Sequence, residues 1–470
     1  MTIQAVGVLA LAIGLAGFFF DASFILYAFF CATLLGSAAA FVLTSLGGTN
    51  ISPAHLLLGF LAVKLIADRL VLQRIAEGIA PGRPGFWLLL TVVYSAISAF
   101  FLPRLFAGET FVIAVRAVDS FNFPLAPTMA NLTQSIYLIA DFICFILIYG
   151  YARDTTGRLT VGNAAVCCVI LNLIFAGLDL ATYATGTTEL LAFIRNANYA
   201  LLSETELAGS KRIVGSFIEA SAFGAATLGY FAFATKLWLL GVRPRLMFTL
   251  SLLSLCALIF STSSTATVGL AAMLLFSYSE ILFVVMRRPL TSQMFFFLIG
   301  APIVFAILGC AIALNEEASA YVYNLLDTTV FSKLSSSSGE ERSSWNVQAW
   351  QVFVDTFGFG AGNGSMRTSS FPLAVIANLG VIGAGLFALF FAGIFFGGNN
   401  TGAHDSLEGA YRQAAKSACI AWLITATISG SLTDLGMPFF AFAAIAWKDS
   451  ASAGFVRSQV VRGRRILRSS

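Results

Sequence analysis

Residues 372–397 read Pro372-Leu-Ala-Val-Ile-Ala-Asn-Leu-Gly-Val-Ile-Gly-Ala-Gly-Leu-Phe-Ala-Leu-Phe-Phe-Ala-Gly-Ile-Phe-Phe-Gly397, without a single charge. A helix that crosses a bilayer needs about 20 apolar residues. The run is long enough, and it lacks the period-two alternation of a membrane β-strand. Working outward, the same kind of segment recurs at about 4–20, 23–46, 54–73, 86–106, 132–150, 160–184, 213–240, 246–261, 265–286, 292–314, 416–430 and 436–448.

The composition agrees. Of 470 residues, 58% are hydrophobic and only 11% are charged, against roughly 25% charged in soluble domains. Mean hydropathy is +0.86. A soluble chain of this size could not hide so much apolar surface, so soluble-enzyme, nucleic-acid-binding and disordered classes are set aside. The expected fold is an all-α polytopic membrane protein, one membrane domain over 1–470, with 12–13 transmembrane helices. No signal peptide is apparent, because the first 20 residues lack a basic region. All seven cysteines lie in apolar stretches, which implies helix packing rather than disulfides or a metal site. The 45 phenylalanines read as lipid-facing and inter-helix packing.

Basic residues in short loops set the orientation. Arg74 with Arg83, Arg153 with Arg158, Arg243 with Arg245, Arg287 with Arg288, and Arg412 with Lys416 fall on one face, together with the basic tail from Lys448 to Arg468. That face, and the C-terminus with it, is expected to be cytoplasmic. The N-terminus stays open: Met1 lies outside unless one early segment does not cross. Three longer loops, about 107–131, 185–212 and 315–371, then face outward.

The loop 315–371 precedes the third-last span. Ser337 with Glu340, or Ser338 with Glu341, has capping-box spacing. Trp345, Ala349, Val352 and Phe353 then recur at helical spacing, which predicts an amphipathic helix on the membrane or over a cavity. Arg342 falls in its first turns. Either Glu340 and Glu341 neutralise it, or it joins free backbone N–H groups in an anion site. Gly358-Phe-Gly360-Ala-Gly362-Asn-Gly364 follows. It is not a nucleotide-binding P-loop, because no Gly-Lys-Ser/Thr comes after it. It is either a flexible connector or a close-approach turn presenting Arg367 and the Ser369 and Ser370 hydroxyls to a ligand.

The loop before residue 213 ends Lys211-Arg212-Ile-Val-Gly-Ser-Phe-Ile-Glu219-Ala-Ser221. On a helix, Glu219 would lie two turns below Arg212 on the same face. The two are either a packing ion pair or a base beneath an anion-binding arginine. Lys64 and Asp68 have ion-pair spacing. Asp141 and Asp179 could serve a proton path, Asp434 reads as solvated, and His55 and His404 are lone residues.

Three pieces in this order resemble the O-antigen ligase and Wzy-type polysaccharide polymerase family: Arg212 to Ser221, Ser261-Thr-Ser-Ser-Thr265, and Arg342 through the glycine run to Arg367 and the next span. The motifs cover about a tenth of the chain. The resemblance implies a glycosyltransferase at the periplasmic face of a bacterial inner membrane. Its donor and acceptor would be glycans on undecaprenyl pyrophosphate, and a chain-length regulator is a further partner it allows. No cofactor or metal is implied, and the sequence has no Asp-x-Asp in an outward loop. Arg212, Arg342 and Glu219 would carry catalysis; Lys211, Arg367, Ser369 and Ser370 would bind substrate. Family members often have Ser-Arg where Ser264-Thr265 stands. Ligases usually carry a His where Thr368-Ser369-Ser370 stands, which favours polymerase over ligase. A transporter using Asp141, Asp179 and the Lys64, Asp68, Arg69 group, or a membrane scaffold, are the other readings.

Overall fold

The computed structural model describes residues 2–43, 49–115, 122–197, 202, 204, 206, 207, 210–286, 289–332, 336–397 and 406–447. The chain is mostly helical. The helices run α1 (Ala5–Ala16), α2 (Ala22–Ala32), α3 (Pro53–Ile66), α4 (Arg69–Gly78), α5 (Pro84–Leu105), α6 (Met129–Tyr151), α7 (Thr155–Ala184), α8 (Ala220–Leu239) and α9 (Pro244–Phe260). They continue with α10 (Ser264–Val285), α11 (Ser292–Phe295), α12 (Ala301–Ala313), α13 (Glu316–Leu326), α14 (Ser337–Asp355), α15 (Phe371–Phe396), α16 (Leu407–Ser429) and α17 (Met437–Ala446). A π-helical turn joins α11 to α12, so 292–313 is one continuous rod.

By length and composition, six helices among the described residues can cross a membrane: α5, α6, α7, α10, the α11–α12 rod and α15. That is half the expected number. The difference lies in the short apolar helices. The runs at 4–20 and 23–46 form helices of only 12 and 11 residues, about 18 Å at 1.5 Å per residue, against a hydrocarbon core of about 30 Å. The second run then turns into the central strand of a small antiparallel sheet, Thr2–Ile3 on Phe41–Leu43 on Thr49–Ile51.

The segment 54–73 also breaks in two. Asp68 leaves the helix and its Oδ1 accepts the Leu70 N–H at 2.8 Å, capping α4. Lys64 reaches instead to the carbonyls of Phe18 and Phe20. The expected Lys64–Asp68 ion pair is therefore replaced by a cap and a helix-end contact, since a short polar side chain competes for backbone N–H groups.

α8 occupies the middle of the bundle, packed on α7, α9, α10 and α16. α17 lies between α6 and α16. Their seam is aromatic: Trp422 of α16 meets Phe442 of α17 edge-on at 4.9 Å and Tyr230 of α8 at 5.7 Å. The basic tail from Lys448, the Arg287–Arg288 pair and His404 lie outside the described residues.

Candidate functional site

The site begins with a knot of buried charge. Asp179, near the end of α7, is 1% exposed. Its carboxylate accepts the Val214 and Gly215 N–H groups at 2.8 and 3.1 Å, pairs with Arg195 at 2.6 Å and with Lys211 at 3.3 Å. Gly215 turns the chain with φ +59°. Ser216 then locks onto residues 34–37, donating its hydroxyl to Leu34 O and accepting the Ser37 N–H. A backbone whose N–H groups are held by a distant carboxylate cannot use them in helical hydrogen bonds. The expected span from 213 therefore begins only at Ala220, with Glu219 extended at its N-cap.

That changes the geometry but not the company. Glu219 is not two helical turns below Arg212; it stands at the other end of a fixed loop. The two still share a field. Burial pulls the Arg212 guanidinium below its ordinary range, the Glu219 carboxylate opposes that shift, and the Arg342 cation adds to it. Arg212 remains a cation, as arginine does in proteins. Its Nη2 donates to Thr262 O at 3.4 Å. Its buried Nε has no acceptor among the described residues. Thr262, at φ +47°, is the turn between α9 and α10, and Ser263 caps α10 through the Ala266 N–H. The Ser261–Thr265 motif thus meets Arg212 through a backbone carbonyl.

α14 supplies the second wall. Its cap is Ser336, one residue before the expected start, accepting the Gly339 N–H at 3.2 Å. Trp345, Ala349 and Val352 are buried as the apolar spacing predicts. They pack on protein, against Phe106, Val112, Ile113, Leu125 and Met366. Arg342 makes no hydrogen bond or ion pair among the described residues. Arg367 lies with its guanidinium carbon 4.2 Å from the centre of the Trp345 ring. Stacking over an aromatic face stabilises a cation without using its N–H donors. Burial lowers the Arg367 pKa, Glu341 and Glu219 oppose the shift, and Arg342 adds to it. The Trp345 Nε1–H is buried and has no acceptor either.

The glycine run is neither slack nor a linker. Gly358, Gly360, Gly362 and Gly364 all have φ between +79° and +92°. A Cβ at Gly360 would stand 2.8 Å from the backbone of Asn378 and Gly380, which identifies a close approach. What it approaches is a break in α15. At Gly380 (φ 62°, ψ −162°) the helix leaves α geometry, and the glycine ribbon takes up the freed groups. Val381 N–H donates to Gly358 O, Ala361 N–H to Ala377 O, and Gly362 N–H to Asn378 O, all at 2.8–2.9 Å. Non-helical backbone at membrane depth needs such protein partners. The Asn378 side chain ties the ribbon's end, accepting the Ser365 and Met366 N–H groups at 3.0 Å and donating to Met366 O. The run that reads as one unbroken span is therefore two helical pieces clamped by the loop before it.

The structure brings Arg212, Glu219, Arg342 and Arg367 into one electrostatic neighbourhood, from loops more than 100 residues apart in the chain. Ser369 and Ser370 shape the entry to α15: Ser369 N–H donates to Asn346 Oδ1 at 2.9 Å, and Ser370 is the N-cap residue. Lys211 stands apart, because its ammonium is committed to Asp179 and to Arg212 O. Burial lowers the Lys211 pKa, and Asp179 partly offsets this. Beside Glu219 lies a cavity of about 440 Å³ bounded by α8, α16 and the turn before α17, and Asp434 lines it too. Asp434 is thus a cavity residue rather than a solvated turn residue. Sequence reasoning missed Asn346 and Asn378. Of these only Asn378 carried a signal, a lone amide inside an apolar run.

No family model, curated protein or solved structure matches the chain.

Proposed function

We propose that the chain is a membrane glycosyltransferase that polymerises oligosaccharide units carried on undecaprenyl pyrophosphate. It would work at the periplasmic face of a bacterial inner membrane, with its C-terminus in the cytoplasm. One observation carries the reading. Three arginines share one electrostatic neighbourhood, and among the described residues their side-chain N–H donors are largely without protein acceptors. Arg212 Nε and Trp345 Nε1 are buried and unpartnered, Arg367 is stacked, and Arg342 is unpaired. Buried donors without acceptors are costly unless a ligand completes them. Arginine forks match phosphate oxygens. Among the described residues, the one carboxylate in both the arginine field and the adjoining cavity is Glu219, which makes no ion pair and accepts the Ser221 hydroxyl.

In the reaction, an acceptor sugar hydroxyl attacks the anomeric carbon of the donor glycan. The new bond forms between that oxygen and carbon. The bond from the carbon to the pyrophosphate oxygen breaks, and its electron pair leaves with the pyrophosphate. Arg212, Arg342 and Arg367 neutralise the charge that develops there. Glu219 takes the hydroxyl proton as general base, while the apolar helices hold the polyprenyl chain in the bilayer.

Three of the residues a transporter would draw on are otherwise engaged: Asp179 is closed in its knot, Lys64 sits on carbonyls, and Asp68 caps a helix. The test is a strain deleted for this chain and complemented with wild type or Arg342→Ala, with lipid-linked and surface glycans compared on a gel. Loss of one charge-stabilising donor is expected to slow transfer about 100-fold or more. Single units should then accumulate on the carrier. Long chains stranded on the carrier would instead mean a ligase. Normal polymer from Arg342→Ala would refute the assignment.

A further inference from the structure

The cavity next to the arginines has the opposite character. It is lined by two carboxylates, Glu219 and Asp434, by hydroxyls such as Ser221 and Ser431, and by the rings of Tyr230 and Trp422. Among the described residues it has no Lys or Arg in its wall. Its volume, about 440 Å³, is that of a small-molecule site. A phosphate would meet two negative groups there and no cation.

Asp434 is held in a defined pose. Its Oδ1 accepts the Gly436 N–H at 2.6 Å. Behind it, the Asp141 carboxyl of α6 lies against it. Asp141 is 2% exposed, and its Oδ2 has no donor among the described residues. Asp434 therefore enters the cavity in a pose fixed by the Gly436 N–H on one side and Asp141 behind it.

We infer that this cavity is a neutral-carbohydrate site, in which Glu219 and Asp434 bind the hydroxyls of one sugar ring and Trp422 and Tyr230 carry its apolar face. The inference deepens the proposed function, on which it rests, by assigning the acceptor sugar a chamber separate from the pyrophosphate. Carboxylates accept hydroxyl hydrogen bonds strongly, and an aromatic floor packs the C–H face of a ring. A small cation is the other ligand class that acidic walls suit. Two arginines that interact with Glu219, Arg212 and Arg367, oppose it. Glu219 stands at the joint, so a hydroxyl bound in the cavity meets the base and the donor's leaving group from opposite sides. Asp434 binds the sugar and Asp141 acts as a positioning residue behind it.

The test uses the full chain in lipid nanodiscs and reads tryptophan emission, with Trp422→Phe identifying the cavity signal. Glucose, galactose, rhamnose and N-acetylglucosamine are titrated separately, and inorganic pyrophosphate is titrated in parallel. At least one sugar should change Trp422 emission saturably. Asp434→Asn should weaken that response about tenfold, as loss of one charge-assisted hydrogen bond does. Ala225→Phe, which fills the cavity, should abolish it, and both variants should keep the pyrophosphate response. The inference is overturned if no sugar responds while pyrophosphate does, if the sugar response survives both variants, or if potassium ions alone reproduce it. Loss of the pyrophosphate response in the unaltered chain would count against the arginine site instead, so the two readings fail separately.

Discussion

Replacing Gly380 by Ala tests the clamp that holds the candidate site. Gly380 has φ 62° and ψ −162°, a region that is almost exclusive to glycine and costs a side-chain residue about 1–3 kcal/mol. A Cβ there would land on the carbonyls of Gly358 and Phe359. Both are backbone, so no side chain can swing aside. Relieving the clash means moving the ribbon away from α15, which breaks the Val381 N–H to Gly358 O bond and strains its neighbours. A buried backbone group left unsatisfied adds about 1–3 kcal/mol. The expected loss is therefore about 2–6 kcal/mol, a large share of the 5–15 kcal/mol that ordinarily holds a fold.

The control is five residues on. Gly385 lies in the regular part of the same helix, and a Cβ there meets nothing within 4 Å. Gly385→Ala should be neutral or stabilising by about 0.5–1 kcal/mol. Thermal unfolding of both variants in nanodiscs, followed by circular dichroism, reads the difference directly. Limited trypsin digestion reads its consequence, because Arg367 is half-buried against Trp345 and should become cleavable only when the ribbon moves. If Gly380→Ala and Gly385→Ala melt alike and Arg367 stays protected in both, the clamp is not what fixes the arginine.

Two further outcomes follow from charged groups away from the arginine rim. Asp179→Asn leaves Arg195 and Lys211, 6% and 5% exposed at their side chains, without their counter-charge, and should cost about 3–5 kcal/mol of stability; a thermal midpoint equal to wild type would show the knot to be incidental. Asp154 caps α7 through the Gly157 N–H at 2.7 Å and pairs with Arg74 at 2.8 Å. Burial alone would raise its pKa, but the Gly157 N–H and Arg74 outweigh it and the net shift is downward. A carboxylate bound more tightly as an anion in the fold contributes fully above its unfolded value of about 3.9 and loses that contribution as pH falls through the folded value. The stability gap between wild type and Asp154→Asn should thus be constant near neutral pH and close on acidification below about pH 4; a gap unchanged at pH 3 would refute the linkage.

The parts of this molecule that composition governs were legible in the sequence. Long, mainly apolar runs, such as 84–105 and 129–151, became helices within three residues of the expected bounds. The apolar stripe of α14 was legible from its 3.6-residue period. What stayed hidden depends on partners far away in the chain. Nothing local to 213–219 says that Asp179 will take the N–H groups a helix would need. Nothing in the run 372–397 says that Gly380 breaks it, because four other glycines share that segment and only the approach of Gly358 singles one out. Arg212, Arg342 and Arg367 could be named from their positions at the ends of apolar runs. That Lys211 would be drawn off to Asp179, and that Asp434 would turn inward onto Asp141, could not.

The arrangement also bears on which anion the arginines would hold. Burial is the main cause that lowers the pKa of Arg212 and Arg367, and the Arg342 charge adds to it in both, so Arg342 repels each of the other two cations. The loops that carry them cannot relax that repulsion. One is fastened by Asp179 and Ser216, the other by the ribbon on Gly380 and by Asn378. A preorganised, mutually repelling set gains most from a ligand that brings several negative charges at once, since each phosphate oxygen relieves more than one pair. A carboxylate or a single phosphate monoester would leave part of the repulsion in place. A pyrophosphate spans two phosphorus centres and would leave little of it. On this argument, inorganic pyrophosphate should bind more tightly than inorganic phosphate by more than the doubling expected from two independent sites. Losing Arg342 should shrink that preference rather than only lower both affinities.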